Sequence, residues 1–326
     1  MMRTISPLAR LDTTLAAYLA HRRSLGRDCE QEEWVLRRLR RFLVERHAVD
    51  LDQRAFDDWR GTFGHLHPNS RYTYESVVHN FCRYRRRSEP DCFLPDPAGF
   101  ARPIPHALPS LIEPHQIARM LELASALRPA QSSPLRPAVM RVALVLLYTT
   151  GLRLGELLRL TLDDIDPQAG VLHIRESKFH KSRWVPVSPS ACAELRCYLR
   201  IRREHRVDAR PSAPLLCSRR HGWRPYSPNG LYQALHALFD AAGVHDSEGR
   251  CPRVHDIRHS FAVQALLHWY QQEGDVQANL PKLALYMGHV SIISTAYYLR
   301  WMPAVVACAS ERFERSFGRL VQGGQP

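Results

Sequence analysis

Residues 286–300 read YMGHVSIISTAYYLR, a stretch with clear signals for a helix end and a new helix start. Gly288 is typical of the residue that ends a helix, because glycine adopts the left-handed conformation there without steric cost. His289 then lies in the turn, and Ser291 is a suitable N-cap for the next helix. That next helix would carry Thr295, Tyr297 and Tyr298. The stretch therefore predicts two helices joined by a histidine-bearing turn, with two phenols downstream.

A second glycine-centred junction lies at residues 149–160, TTGLRLGELLRL. Gly151 breaks a long apolar run, and Arg153 then falls at the start of a short helix. An arginine at this position is well placed to bind a phosphate. It could equally pair with Glu156, which lies three residues further along the same helix.

Two further segments supply groups that can bind a phosphate or move a proton. In HDIRHSF, residues 255–261, His255 and Arg258 are three residues apart and share one helix face. In SKFHKSRWVPV, residues 177–187, Lys178 and Lys181 lie in the polar stretch between two predicted strands, 171–176 and 184–187. Two guanidiniums, histidines, a lysine and a phenol can together transfer a phosphoryl group without a metal ion.

Composition favours a polyanionic partner. The chain has 326 residues, of which 45% are hydrophobic, enough for two hydrophobic cores. Its formal net charge of +13 makes nucleic acid the first choice of partner. An anionic membrane surface is the second choice. The first residues have no signal-peptide pattern, and no apolar stretch is long enough to span a membrane, which predicts a soluble, intracellular protein. The eight cysteines contain no CxxC pair, so neither a zinc site nor a disulfide framework is expected.

The chain divides into three predicted segments. Residues 1–95 show helical periodicity only and predict a bundle of four helices, with dense arginine on the second and fourth. Such arginines would form either a solvated helix face or a surface for nucleic acid. Seven prolines between residues 89 and 114 predict an extended linker over 96–112. Residues 113–326 predict a larger, mainly helical domain with one β-hairpin. Its predicted helices are Glu113–Leu127, Arg136–Tyr148, Arg153–Leu160, Pro189–His205, Ser227–Ala242, Val254–Gln271, Pro281–Met287, Ser291–Trp301 and Pro303–Phe317.

Taken in order, these motifs resemble the tyrosine recombinase family, also called phage integrases, and especially bacterial chromosome-dimer resolvases and transposon-associated integrases. That family shows GLRxxE, a hairpin lysine, HxxR, and GH followed nine residues later by the nucleophilic tyrosine. The counterparts here are Arg153 with Glu156, Lys178, His255, Arg258, His289 and Tyr298. The count from His289 selects Tyr298 over Tyr297. Ser177 and Phe179 replace the glycines that usually flank the hairpin lysine, and Met287 stands where leucine commonly precedes GH.

The resemblance implies an N-terminal four-helix, SAM-like core-binding domain and a mainly α catalytic domain with a small antiparallel sheet. Tyr298 would form a 3′-phosphotyrosyl link, Arg153 and Arg258 would stabilise the phosphorane, and Lys178 would protonate the leaving 5′-oxygen. No cofactor and no metal are expected. The residues expected to contact DNA are Arg37, Arg41, Arg83, Arg86, Lys181 and Arg183.

The same resemblance implies double-stranded DNA as partner, closed in a clamp between the two domains, and four protomers that exchange strands through a Holliday junction. A bacterial, cytoplasmic and nucleoid-associated location would follow. The predicted helix Pro303–Phe317 could pack on a neighbouring protomer or on its own core. Two alternatives stay open: a type IB topoisomerase that relaxes DNA, and an architectural DNA-binding protein without chemistry.

Overall fold

A computed structural model describes residues 7–105, 109–177, 181–219, 222–246, 248–272, 274–289, 291, 307, 310–311 and 313–315. The chain forms two compact units, residues 1–107 and 108–326. Both are mainly helical, and small antiparallel sheets occur in the second unit. The predicted class, mainly α with a small antiparallel sheet, is therefore confirmed. In the described ranges, no helix combines the length and the apolar composition that crossing a membrane requires.

The first unit contains four α-helices in its described part: α1 (Pro7–Ser24), α2 (Glu30–Glu45), α3 (Gln53–Gly61) and α4 (Pro68–Arg85). The helix starts follow local chemistry. Asp52 caps α3 by accepting a hydrogen bond from the Ala55 N–H, and Pro68 occupies the first position of α4, where no backbone donor is needed. Leu36, Trp59 and Val78 pack in one apolar core and are fully buried. Burial of these faces holds the bundle together.

The second unit contains the α-helices and strands named next, all of them in the part of the chain that the structure describes. Its helices are α5 (Pro114–Ala126), α6 (Arg136–Thr150), α7 (Leu154–Arg159), α8 (Pro189–Glu204), α9 (Pro228–Ala241), α10 (Val254–Gln271) and α11 (Val276–Met287). Its strands are β1 (Ile165–Asp166), β2 (Val171–Ser177), β3 (Lys181–Pro186), β4 (Cys217–Ser218) and β5 (Arg224–Pro225). Strands β1, β2 and β3 form one antiparallel sheet in that order, and β4 pairs with β5.

Helix α6 is the centre of the second unit. Its apolar residues, including Val139, Leu144 and Leu146, are fully buried, and α5, α8 and α10 pack around it. The helix ends at Gly151, whose φ of +60° is left-handed. A Cβ at this position would lie 2.5 Å from the ring of Phe261 on α10, so the close approach of the two helices also requires glycine.

The β2–β3 pairing decides which hairpin side chains face the core. Leu172 pairs with Val185, and Ile174 pairs with Arg183. Leu172, Ile174 and Val185 are buried. The neighbouring pair, His173 and Trp184, faces outward, where the two rings stack at 4.3 Å. Arg183 therefore lies on the inward face of the sheet together with Ile174 and Val185.

Helix α11 begins five residues earlier than predicted. Proline at position 281 suggests a helix start, but the helix runs from Val276 and contains Pro281 in its interior. Asp275 explains the difference, because its carboxylate accepts a hydrogen bond from the Ala278 N–H and caps the earlier start. Of the predicted helix Ser291–Trp301, only Ser291 lies within the described residues. Of the predicted helix Pro303–Phe317, residues 307, 310–311 and 313–315 are described, and all of them are helical.

Candidate active site

Arg153 lies between α6 and α7, where Gly151 turns the chain. Its backbone N–H donates to Glu156 Oε2 at 3.0 Å, and its Nη1 donates to Glu156 Oε1 at 2.7 Å. Its Nη2 donates to the carbonyl oxygen of Gly288 at 3.0 Å. The ion pair with Glu156, one of the two sequence interpretations, is thus present, and the same guanidinium also reaches the end of α11.

Glu156 is a buried carboxylate shared by two arginines. Its side chain is 1% exposed, and Arg183 donates from Nη1 and Nη2 to its two oxygens at 3.1 and 3.0 Å. Burial by itself raises the pKa of Glu156. The hydrogen bonds from Arg183 and from the Arg153 backbone outweigh this effect and lower the pKa to about 2. Glu156 is therefore ionised at neutral pH.

Helix α10 starts with a similar acidic anchor. Asp256 is 2% exposed and accepts hydrogen bonds from the Arg253 N–H at 2.9 Å and from Arg253 Nη2 at 2.8 Å. This arrangement sets the first turn of the helix, which carries His255 and Arg258. The rings of His255 and His259 meet edge to face, with centroids 4.7 Å apart. His259 is a further histidine of this site, and the sequence reasoning did not single it out.

Arg258 joins the ends of two helices. Its Nη1 donates to the carbonyl oxygen of Gly151, at the end of α6, and its Nη2 donates to that of Met287 at 2.6 Å. The residue is 2% exposed. A phosphate therefore cannot reach this guanidinium without movement of the surrounding residues.

The end of α11 concentrates these contacts. Gly288 has a φ of +67°, its N–H donates to Leu285 O, and the His289 N–H donates to Ala284 O at 2.8 Å. This backbone motif leaves the later carbonyls without helical partners. The three successive carbonyls of residues 286, 287 and 288 instead accept from three arginines, namely Arg183, Arg258 and Arg153. Positive charge at a helix C-terminus is also favoured by the helix dipole.

The histidines near these arginines are poor bases in the free protein. Burial, and then repulsion by Arg258 and Arg153, lower the pKa of His289 to about 4. Burial and the neighbouring His255 lower the pKa of His259 to about 4. The pKa of His255 is also lowered, by loss of water and by Arg258. All three imidazoles are neutral at pH 7.

The structure thus brings together Arg153, His255, Arg258 and His289 of the predicted site. Lys178, Tyr297 and Tyr298 lie outside the described residues. Lys181 begins β3, but its side chain is outside the description.

The predicted DNA contacts divide into two groups. Arg37, Arg41, Arg83 and Arg86 have exposed side chains in the first unit. Arg183, by contrast, has a side chain that is 9% exposed, and its donors are engaged with Glu156 and Tyr286 O. Its place in the strand register turns it towards the core, and its contact with DNA stays a prediction.

One group of described side chains has the geometry of a possible metal site. Ligand atoms of Asp240, His245 and Cys251 lie within 4.8 Å of one another. His245 Nε2 and Asp240 Oδ1 are 3.3 Å apart and form an ion pair when the imidazole is protonated. The group offers three donors at an exposed position and shares no residue with the site above, so we assign it no metal.

Comparison with known proteins identifies the family. Residues 111–303 match the phage integrase family. The y4rB protein of Sinorhizobium fredii, described as an integrase/recombinase, is 35% identical over 304 residues, which cover 91% of this chain and 95% of that protein. Tyrosine recombinase XerD of Caulobacter vibrioides is 30% identical over 290 residues, covering 87% and 85%.

A solved structure shows the same fold. The Tn1549 transposon integrase in complex with transposon right end DNA matches with a TM-score of 0.61 at 16% identity, covering 93% of this chain and 98% of that one. The chain belongs to the phage integrase family, as its motifs predicted. It is a tyrosine-type site-specific recombinase, an enzyme that breaks and rejoins DNA.

Proposed function

We propose that this recombinase cleaves DNA with Tyr298 as nucleophile. The phenolic oxygen forms a bond to the phosphorus of the scissile phosphodiester, and the bond from phosphorus to the 5′-oxygen breaks. Lys178 gives a proton to that leaving oxygen, which becomes a 5′-hydroxyl. The hydroxyl of a partner strand later attacks the 3′-phosphotyrosine and joins the strands.

One observation carries this proposal: Arg153 and Arg258 converge on the carbonyls of Gly288 and Met287, directly before His289. Two guanidiniums at one turn form a site for a doubly hydrogen-bonded phosphate. Tyr298 follows His289 by nine residues. Since Arg258 is buried in the free protein, we infer that DNA binding rearranges the residues that cover it.

The histidines have a matching role. A phenol with an ordinary pKa of about 10 needs a base at neutral pH. His255 and His289 are neutral there and can accept that proton. A bound phosphate brings negative charge to the arginines that repel these imidazoles. Its arrival therefore raises the pKa values of both histidines towards the working pH.

The first unit is proposed as the core-binding domain, with the exposed Arg37, Arg41, Arg83 and Arg86 as phosphate contacts. Arginines on exposed helix faces add affinity without sequence specificity. We further propose a homotetramer on two DNA sites, action at mobile-element ends, and a cytoplasmic, nucleoid-associated location. Membership of the family supports these assignments, and the net charge of +13 supports the contacts with DNA phosphates.

The experiment is covalent trapping on nicked suicide DNA that carries the cognate site. Wild-type protein and Tyr297→Phe are expected to form a protein–DNA adduct, whereas Tyr298→Phe is expected to form none. An adduct with Tyr298→Phe and none with Tyr297→Phe would overturn the choice of nucleophile. No adduct with wild-type protein would favour an architectural protein, and relaxation of plasmid without strand exchange would favour a topoisomerase.

A further inference from the structure

Arg183 contributes a buried charge to the site from β3. Strand register places it opposite Ile174, on the inward face of the sheet, and its side chain is 9% exposed. A buried guanidinium is costly unless its donors are satisfied and its charge is paired. Among the residues that the structure describes, Arg183 meets both conditions with two partners, Glu156 and the carbonyl of Tyr286.

The first partner connects Arg183 to Arg153. Glu156 Oε1 accepts from both guanidiniums, and Oε2 accepts from Arg183 and from the Arg153 backbone N–H. The carboxylate therefore has four donors, which fix its orientation from two sides. Loss of the two hydrogen bonds from Arg183 would free the Glu156 carboxylate to rotate, and the Arg153 guanidinium would move with it.

The second partner connects Arg183 to His289. Arg183 Nε donates to Tyr286 O at 2.8 Å, in the last turn of α11. The backbone there packs directly on the guanidinium, because a Cβ built on Gly288 would lie 2.8 Å from Arg183 Nη1. The turn that presents His289 is thus supported from the strand side by Arg183.

We propose that Arg183 is a positioning residue for DNA cleavage, which orients Arg153 through Glu156 and holds the turn that carries His289. The proposal rests on the recombinase function proposed above. Arg183 does not contact the scissile phosphate itself. Lysine cannot replace it fully, because the ammonium group is a point charge and cannot span a carboxylate and a carbonyl in one plane.

The test compares Arg183→Met, Arg183→Lys and a matched control, Arg202→Met. Arg202 is also buried in the second unit, 3% exposed, and also donates to backbone carbonyls, including that of Leu215, but it shares no partner with the site. Single-turnover adduct formation on nicked suicide DNA is measured at saturating protein, together with the Kd for DNA and the unfolding midpoint.

Arg183→Met is expected to lower the cleavage rate about 100-fold, since displacement of reacting groups by about 1 Å has that effect. The Kd for DNA should change less than about 3-fold, and Arg183→Lys should recover part of the rate. Arg202→Met should lose stability but keep its rate. Equal rate losses in Arg183→Met and Arg202→Met would overturn the proposal, as would a Kd that rises as much as the rate falls.

A double-mutant cycle tests the path through Glu156. If Arg183 acts through this carboxylate, Arg183→Met combined with Glu156→Gln should cleave no more slowly than the slower single variant. Rate losses that multiply would contradict that path.

A further readout does not need cleavage at all. Hydrogen exchange of the Gly288 and His289 amides, which close the end of α11, should accelerate in Arg183→Met and not in Arg202→Met. Unchanged exchange would overturn the positioning role even if the wild-type protein formed no adduct. A missing wild-type adduct together with accelerated exchange would instead count against the proposed function alone.

Discussion

Replacement of Glu156 by glutamine should destabilise the second unit strongly, because it removes the charge that two guanidiniums share. Glutamine keeps the shape of the side chain but turns one acceptor oxygen into a donor nitrogen that faces other donors. The buried Arg183 then keeps its positive charge without a counter-charge. Breaking a buried ion pair from one side costs about 3–5 kcal/mol.

The lowered pKa of Glu156 gives a second value for the stability that its charge contributes. A drop from 4.5 in the unfolded chain to about 2 in the folded one corresponds to roughly 3 kcal/mol of stability at neutral pH. Because the folded pKa is the lower one, this contribution is present above pH 4.5 and is lost as the pH falls towards 2. Both routes predict a loss of about 3 kcal/mol for Glu156→Gln at pH 7.

The assay is urea unfolding, followed by hydrogen exchange of peptides from α7. Because α7 belongs to the second unit, these peptides report the stability of that unit even when the two units unfold separately. Glu194→Gln is the matched control. Glu194 pairs with Arg141 in a more exposed setting, with side chains 30% and 35% exposed, and should cost less than about 1 kcal/mol. A loss of stability in Glu156→Gln no larger than that in Glu194→Gln would contradict a strongly stabilising buried carboxylate at position 156.

Three further predictions concern the turn, the histidine and the DNA. Gly288→Ala should lower the free energy of unfolding by at least about 1 kcal/mol more than Gly243→Ala. Both glycines have φ near +68°, but of these two positions only 288 brings the added Cβ against a guanidinium. Equal losses of stability in urea unfolding would contradict this packing. The pKa of His289 near 4 means that the unfolded chain binds more protons between about pH 4 and 6.5. Stability should therefore fall as the pH is lowered through that window, and His289→Gln should remove part of that slope, whereas an unchanged slope would contradict the pKa. Arg41→Gln should reduce the slope of log K for DNA against log salt by about 0.9, and an unchanged slope would exclude a phosphate contact by Arg41.

Much of the helical framework follows from local sequence signals. The apolar run from residue 136 and the glycine at 151 predict a buried helix, and α6 is observed over Arg136–Thr150. Ser227 and Pro228 predict the start of α9, which begins at Pro228 with Ser227 as its cap. These elements are predictable because their caps and their periodicity lie within a few residues of one another.

Other features depend on contacts that are distant in sequence. The predicted start of α11 at Pro281 is wrong, because the capping carboxylate of Asp275 starts the helix at Val276 and the proline lies inside it. The strands β4 and β5 have two residues each, which is too short for any periodic signal. The burial of Arg183 depends on its pairing with Ile174 and on Glu156, which lies 27 residues earlier in the chain.

The candidate site divides in the same way. The motifs single out Arg153, Arg258 and His289, but they do not reveal that three arginines bind three successive carbonyls at the end of α11. That arrangement needs the tertiary fold. The roles of the site residues, Lys178 and Tyr298 among them, stay predictions.

The most direct measurement is mass-spectrometric identification of the residue that becomes linked to DNA when the wild-type protein is trapped on a nicked suicide substrate. A single modified peptide is expected, with the 3′-phosphate on the phenolic oxygen of Tyr298. A phosphotyrosyl link at Tyr297 or at any other residue, or the absence of any covalent link on the cognate site, would contradict it.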